Sequence, residues 1–216
     1  MVENVNKKEW VFIKVNTKYF IDQYALQAQN QKLRSRSWFK LQSIDRLDKL
    51  LKQGMTVIDL GSTPGGWSSY VIKQISNLGT IVSCDILPMK KIAGVKFLQG
   101  DCSNINFLNE IDLKIKHKRA QVVLSDMSPN TTGISTVDVC KSIYLGKIAL
   151  NMCCRFLAPG GSFLVKIFQG DGFDQYLYNL KCLFHKVKVR KPSSSRSHSR
   201  EVYIVSKDFK YKRINI

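Results

Sequence analysis

The sequence predicts an α/β fold built on a mostly parallel, doubly wound sheet with an antiparallel hairpin at its C-terminal edge. Three observations lead there. Short apolar runs recur at residues 55–60, 79–85, 95–100, 120–125 and 162–168, helical periodicity fills gaps between them, and two alternating segments flank a Ser/Arg loop near the end. Apolar strands alternating with helices need cover on both faces of the sheet, which is the parallel arrangement.

Residues 1–35 read as a basic N-terminal extension, polar, with scattered aromatics (Trp10, Phe12, Tyr19, Phe20, Tyr24) and helical from Thr17. From Ser37, the apolar positions Trp38, Leu41, Ile44, Leu47, Leu50 and Leu51 recur at three and four residues. That is the spacing of an amphipathic helix, with Gly54 as its C-terminal stop. Residues 55–60 give the first buried strand, 67–75 a helix, 79–85 the second strand, 95–100 a short third and 120–125 the fourth. Residues 143–157 read as a helix closed by Ala158-Pro159-Gly160-Gly161, and 162–168 as the fifth strand. Val187 and Val189 then alternate with Lys186, Lys188 and Arg190, and after the loop Pro192 to Arg200 comes Val202-Tyr203-Ile204-Val205. Two strands joined this way form a hairpin on the sheet edge. The main domain therefore spans 36–206, and 207–216 reads as a frayed basic tail.

With 216 residues and 44% hydrophobic composition, the chain can bury one sizeable core but not two. No run of eighteen apolar residues exists, which excludes a membrane-spanning helix, and Met1-Val2-Glu3-Asn4 lacks the order of a secretion signal. A cytoplasmic protein is expected. The cysteines Cys84, Cys102, Cys140, Cys153, Cys154 and Cys182 form no C-x-x-C pair and no His stands at ligand spacing. Neither a metal site nor a disulfide framework is indicated, and free thiols fit a reducing compartment.

The formal net charge is +18. The total alone says little, because 25 Lys against 9 Arg, with many Ile and Asn, is also what an AT-rich genome writes. Its distribution is more informative. Residues 1–40 hold eight Lys/Arg against three Asp/Glu, and residues 181–216 hold eleven against two. Positive charge gathered at both ends of a nearly neutral body is the footprint of a nucleic-acid partner.

Asp59-Leu60-Gly61-Ser62-Thr63-Pro64-Gly65-Gly66-Trp67 follows the first strand and opens a helix. Gly61 and Gly65 let the backbone pass close to a ligand at the carboxyl end of that strand, where doubly wound sheets bind cofactors. The second strand ends in Asp85, suited to accept hydrogen bonds from the hydroxyls of an adenosine ribose. Asp101 and Asp126 end the next two strands. The dinucleotide fingerprint G-x-G-x-x-G is broken by Thr63 and Pro64. A cofactor without phosphates, carrying a cationic sulfonium, suits an acid-lined pocket better, and S-adenosylmethionine is that cofactor.

Transfer from such a donor needs an aligned acceptor and a group to take its proton. Lys166, inside the apolar run Gly161 to Phe168, is the candidate, since burial favours the neutral amine that accepts protons. Taken singly, it is also what a lysine snorkelling from a strand end looks like.

Together, Arg36-Ser37-Trp38-Phe39-Lys40-Leu41, the turn Asp59 to Trp67, Ser125-Asp126-Met127-Ser128-Pro129-Asn130, Leu164-Val165-Lys166-Ile167-Phe168-Gln169-Gly170 and Ser197 to Tyr203 resemble the FtsJ-type 2′-O-ribose methyltransferases, from about Gln27 to Val205. The resemblance implies a Rossmann-like class I methyltransferase fold and a tetrad of Lys40, Asp126, Lys166 and Glu201. In it Lys166 would accept the proton, Asp126 and Glu201 would position it and the hydroxyl, and Lys40 would place the ribose. It also implies cofactor contacts at Gly65, Trp67, Asp85, Asp101 and Asp126, beside Gly61 of the turn. Ser62-Thr63 departs from the small apolar pair usual there. The implied substrate is a uridine of 23S ribosomal RNA within the large ribosomal subunit, acted on by a monomer without a metal. The basic stretch Lys32-Leu33-Arg34-Ser35-Arg36 beside Lys40, and Arg196, His198 and Arg200 beside Glu201, would converge on that ribose.

Three other readings stay open. Asp126 to Asn130 suggests a base amino methyltransferase, although the second proline and the aromatic of that motif are absent. A 2′-O-methyltransferase of transfer RNA or of an RNA cap would share the tetrad. A ribosome assembly factor could keep the fold and bind RNA without turnover.

Overall fold

The computed structural model of the chain describes residues 22–196 and 199–210. Along them run α1 (Gln23–Asn30), α2 (Ser37–Asp48), β1 (Thr56–Leu60), α3 (Gly66–Ile75), β2 (Thr80–Asp85), β3 (Val95–Gln99), α4 (Ile105–Lys114), β4 (Ala120–Ser125), α5 (Ser135–Phe156), β5 (Leu157–Phe168), α6 (Phe173–Leu183), β6 (Phe184–Arg190) and β7 (Glu201–Phe209). One seven-stranded sheet joins the strands in the order β3-β2-β1-β4-β5-β7-β6. β1 to β5 are parallel, and β7 runs antiparallel to both of its neighbours. The predicted doubly wound sheet and edge hairpin are both present.

Side chains alternate across each strand, so the central strands feed two cores. Val57, Leu124, Leu164, Tyr203 and Val205 face one side, with Leu41 and Ile44 of α2 and Trp67 and Val71 of α3. Ile58, Leu60, Val123, Val165 and Ile204 face the other, against Phe107 of α4, Ala149 and Cys153 of α5, and Tyr176 of α6. Chain order reverses between β1 and β4, which leaves a crevice at the carboxyl ends of the central strands.

Several boundaries differ from expectation, each for a local reason. α2 stops at Asp48, short of Gly54, because the Asp45 carboxylate accepts from the amides of Leu50 and Leu51 at 2.8 and 2.9 Å and Lys49 turns left-handed. α5 begins at Ser135, well before Ile143. Asp138 accepts from Thr132 N, Thr132 Oγ1 and Gly133 N, which folds the preceding loop onto the first helical turn. The expected turn Ala158 to Gly161 is an irregularity inside β5: Ala120 pairs with Leu157 but Val122 with Ser162. α4 and α6 were not expected. Each is short and shows the core only two buried positions four residues apart, Phe107 and Ile111 or Tyr176 and Leu180.

β7 continues through Lys207 to Phe209, so the first residues expected in the tail are sheet. Phe209 holds that end by packing on Phe184, ring centroids 5.1 Å apart. The predicted helical start at Thr17, most of the basic extension, His198 and positions 211–216 of the tail lie outside the described residues. The described part of the extension docks on the body: Arg36 pairs with Asp22, and the Tyr24 ring lies 5.6 Å from Phe39. No helix among the described residues is long and apolar enough to cross a membrane.

Candidate active site

Sheet register brings the four predicted catalytic residues together. β4 and β5 are paired at Ser125 and Val165, so Asp126 and Lys166 stand side by side one residue further on. Lys166 is matched across β5 and β7 by Tyr203, and Phe168 by Glu201. Glu201 and Tyr203, two apart on one strand, share a face with Lys166. α2 packs over that face and contributes Lys40.

The contacts are close. Lys166 Nζ donates to the Asp126 main-chain oxygen at 2.6 Å and pairs with its Oδ1 at 2.9 Å. Lys40 Nζ donates to Glu201 Oε1 at 2.5 Å. Both lysines are buried, so neither pair has the solvent screening that makes surface ion pairs weak. Burial alone would raise the Glu201 carboxyl, but the charge and hydrogen bond of Lys40, with the Ser195 hydroxyl and the charge of Lys166, outweigh it and hold the group below its ordinary range.

Tyr203, absent from the predicted set, belongs to the same cluster. Its hydroxyl donates to Asp126 Oδ1 at 3.1 Å, and its ring lies 5.6 Å beneath the Lys40 ammonium and 5.8 Å from the ring of Trp67. Burial first, then the carboxylates of Asp126 and Glu201, keep this phenol protonated. Its alternation with Glu201 in Glu201-Val202-Tyr203 was the available signal.

Beside the cluster, at the carboxyl ends of the central strands, opens a cavity of about 370 Å³, lined among others by Gly61, Asp85, Asp101, Asp126, Met127 and Tyr144. Three carboxylates and no lysine or arginine face it among the described residues. At Gly61 a Cβ would meet Met127 N at 2.7 Å, so only glycine lets the turn lie this close to the residue after Asp126. Asp85 accepts from Thr63 N and from Leu87 N, both at 2.8 Å, and Asp101 from Ser103 N at 2.8 Å, which fixes both acids at the rim. Gly65 and Trp67 do not line this cavity. Gly65 is the left-handed residue that starts α3, and the Trp67 indole is buried, its Nε1 donating to Ser37 O at 3.0 Å. Met127 and Tyr144 were not foreseen, because nothing local marks a loop or helix residue as part of a cavity wall.

Beneath the turn lies Asp59, fully buried. Ser68 donates to its Oδ2 at 2.7 Å, while Oδ1 has no partner. Burial, aided by Asp126 and Asp85 and opposed by Ser68, raises its carboxyl to about 7.

On the other side of Lys40 and Glu201, a hollow of about 430 Å³ is lined by Arg36, Ser37, Lys40, Arg196, Ser199 and Glu201. Arg36 of the first basic stretch and Arg196 of the second meet here, as expected. Arg34 and Arg200 do not: Arg34 turns to backbone carbonyls near the glycine turn, and Arg200 donates to Ser135 Oγ of α5. No group of three or more His, Cys, Asp or Glu positioned for a metal occurs among the described residues.

Comparison with known proteins gives consistent matches. The model of the family described as FtsJ-like methyltransferase matches residues 33–209. Ribosomal RNA large subunit methyltransferase E of Blochmanniella pennsylvanica (strain BPEN) is 58% identical over 193 residues, 89% of this chain and 93% of that protein. A ribosomal RNA methyltransferase structure from Plasmodium falciparum aligns with a TM-score of 0.73 at 28% identity, covering 83% of this chain and 100% of that one. An rRNA-methylase structure from Clostridium thermocellum, 19% identical with a TM-score of 0.53, covers 77% and 95% and shares the fold.

Proposed function

The chain belongs to the FtsJ-like methyltransferase family, and from that premise we propose that it transfers a methyl group from S-adenosylmethionine to the ribose 2′-hydroxyl of a uridine in 23S ribosomal RNA of the large ribosomal subunit. It does so as a cytoplasmic monomer. The observation that carries this reading is the convergence of Lys40, Asp126, Lys166 and Glu201 between an acid-lined cavity and a basic hollow. The Blochmanniella relative, named for methylating large-subunit ribosomal RNA, supports the choice of substrate.

The cavity suits the cofactor by charge. A polyphosphate would meet three carboxylates, of which Asp126 alone is paired with a cation, Lys166, whereas a sulfonium and an ammonium are attracted. Asp85 and Asp101 would hold the adenosine, and Gly61 admits the ligand beside Asp126. Trp67 would contribute its main-chain amide in the first turn of α3, where free amides suit a carboxylate, while Gly65, whose own amide is given to Ser62 O, would shape the approach to it. When bound, S-adenosylmethionine supplies an electrophilic methyl group whose leaving sulfur needs no proton.

The protein's own task is to orient the hydroxyl and remove its proton. A neutral lysine has two hydrogens and one lone pair. Lys166 has two acceptors on Asp126, the main-chain oxygen and Oδ1. Once the ammonium has released one proton to solvent and both remaining hydrogens are so directed, the lone pair is left for the ribose hydroxyl. Tyr203 donates to the same Oδ1 of Asp126 that Lys166 contacts, which holds the carboxylate in place and so fixes the direction of that lone pair. Lys40, restrained by Glu201, borders the hollow where the acceptor ribose enters. Arg36 and Arg196 offer backbone contacts that give affinity without reading sequence.

Mass-spectrometric mapping of ribose methylation in ribosomal and transfer RNA, from cells with and without the protein, tests this. Loss of one 2′-O-methyluridine from large-subunit RNA is expected. An unchanged map overturns the proposal, and a loss confined to transfer RNA reassigns the substrate.

A further inference from the structure

The segment between α1 and α2 touches both halves of the site. Arg34 Nη1 donates to Pro64 O at 3.2 Å and Lys90 O at 2.7 Å, and Nη2 to Lys91 O at 2.7 Å. Pro64 lies in the glycine turn, and Lys90 and Lys91 follow Ile86 and Leu87 of the cofactor cavity wall. Two residues on, Arg36 and Ser37 line the basic hollow. Ser35 Oγ and Ser37 Oγ are hydrogen-bonded at 2.6 Å and occupy the space that a Cβ on Gly66, the first residue of α3, would need. Ser37 O accepts the Trp67 indole.

We propose that residues 34–37 couple the two sites, so that RNA engaged at the basic hollow tightens cofactor binding, with Arg34 as the positioning residue of the cofactor turn. The inference rests on the reading above that RNA is the acceptor. A phosphate-binding arginine keeps its donors toward solvent, whereas Arg34 has three directed at the main-chain oxygens of Pro64, Lys90 and Lys91, in the segments that continue from the cofactor wall. A planar fork fixes three carbonyls in one arrangement better than an ammonium does. Arg36, one peptide unit beyond Ser35, is held at Asp22 and Ser194 O. With both ends of so short a segment tied down, a shift forced by RNA at Arg36 and Ser37 reaches Pro64 and the start of α3 within a residue or two. Coupling of this kind is reciprocal, so the cofactor tightens RNA binding by the same factor.

The test is equilibrium dialysis of radiolabelled S-adenosylhomocysteine against the full chain, alone and with saturating large ribosomal subunits from cells lacking the protein. Affinity should rise about fivefold or more with subunits present. In Arg34→Ala the ratio should fall below about twofold, and in Arg34→Lys, which keeps the charge but not the fork, it should fall likewise. The salt dependence of subunit binding should keep its slope in both variants, because no phosphate contact is lost. If Arg34→Ala does not fold, Arg34→Lys carries the comparison. Equal affinity with and without subunits in the native protein, undiminished coupling in the folded variants, or a reduced salt slope overturns the inference. Failure of the native protein to methylate those subunits sinks the functional reading separately.

Discussion

Lys40 and Glu201 lie 161 residues apart in the chain and 2.5 Å apart in space. Their pairing fastens α2 to β7 at the entrance to the basic hollow. Because Glu201 titrates below its ordinary range, its stabilisation is fully present above the unfolded carboxyl value and is lost as pH falls through the lower folded one. Glu201→Gln should therefore lower stability at pH 7 and narrow its difference from the native protein in acid. Urea midpoints at pH 7 and pH 3.5 would show this, and an equal deficit at both would remove the ion pair as the cause.

Lys166→Ala should reduce methyl transfer by about 10² to 10⁴-fold, the usual contribution of a positioned base. Cofactor affinity should stay within a few fold, since Lys166 does not line the cofactor cavity. A single-turnover assay with radiolabelled methyl donor, paired with calorimetry, checks both. Near-native transfer would exclude Lys166 as the proton acceptor.

Tyr203→Phe keeps the ring between Lys40 and Trp67 and removes the hydrogen bond to Asp126. A loss of about 0.5 to 1.5 kcal/mol in stability is expected, with a several-fold fall in kcat and little change in KM for RNA. A rise in KM at constant kcat would instead place the hydroxyl in substrate binding.

Asp59 binds its proton more tightly in the folded protein, where its carboxyl is raised to about 7, than in the unfolded chain. The folded state is thus favoured at low pH, and this advantage fades as pH rises from about 4 to about 7. Asp59→Asn should abolish that dependence and gain on the native protein at pH 8 by an amount on the order of 1 to 4 kcal/mol. Denaturation at pH 5 and pH 8 decides it: parallel curves would mean that Asp59 is ionised in both states.

Asp85→Ala should weaken cofactor binding by about 1 to 3 kcal/mol, the cost of unmet hydrogen bonds. Since Asp85 also holds the amides of Thr63 and Leu87, Asp85→Asn separates the two roles. Unchanged affinity in both variants would take Asp85 out of the cofactor site.

The parallel strands were legible because Val57-Ile58 and Val122-Val123-Leu124 are apolar on both faces, which buried strands demand. α4 and α6 were passed over although Phe107, Leu108, Ile111 and Ile115, and Phe173, Tyr176, Leu177 and Leu180, recur at helical spacing and pack against the core. The end of α2 depended on the side chain of Asp45 reaching forward to Leu50 and Leu51, a contact that spacing does not encode. In the site, Asp126 and Lys166 stood out in the sequence itself, Lys40 and Glu201 came through family resemblance, and strand register with the packing of α2 explains why the four meet. Tyr203 was passed over as an ordinary strand aromatic. Arg34 was read as RNA-facing because its charge was visible and the three carbonyls in front of it were not.

β7 is the final described strand in sequence but lies inside the sheet, between β5 and β6. Until residues 201–209 have been synthesised, β5 has an open edge, Lys40 has no carboxylate partner and Asp126 no phenol. A product cut short by premature termination before Glu201 would thus lack two members of the cluster around Lys40 and Asp126 and be prone to pair its bare edge with other chains.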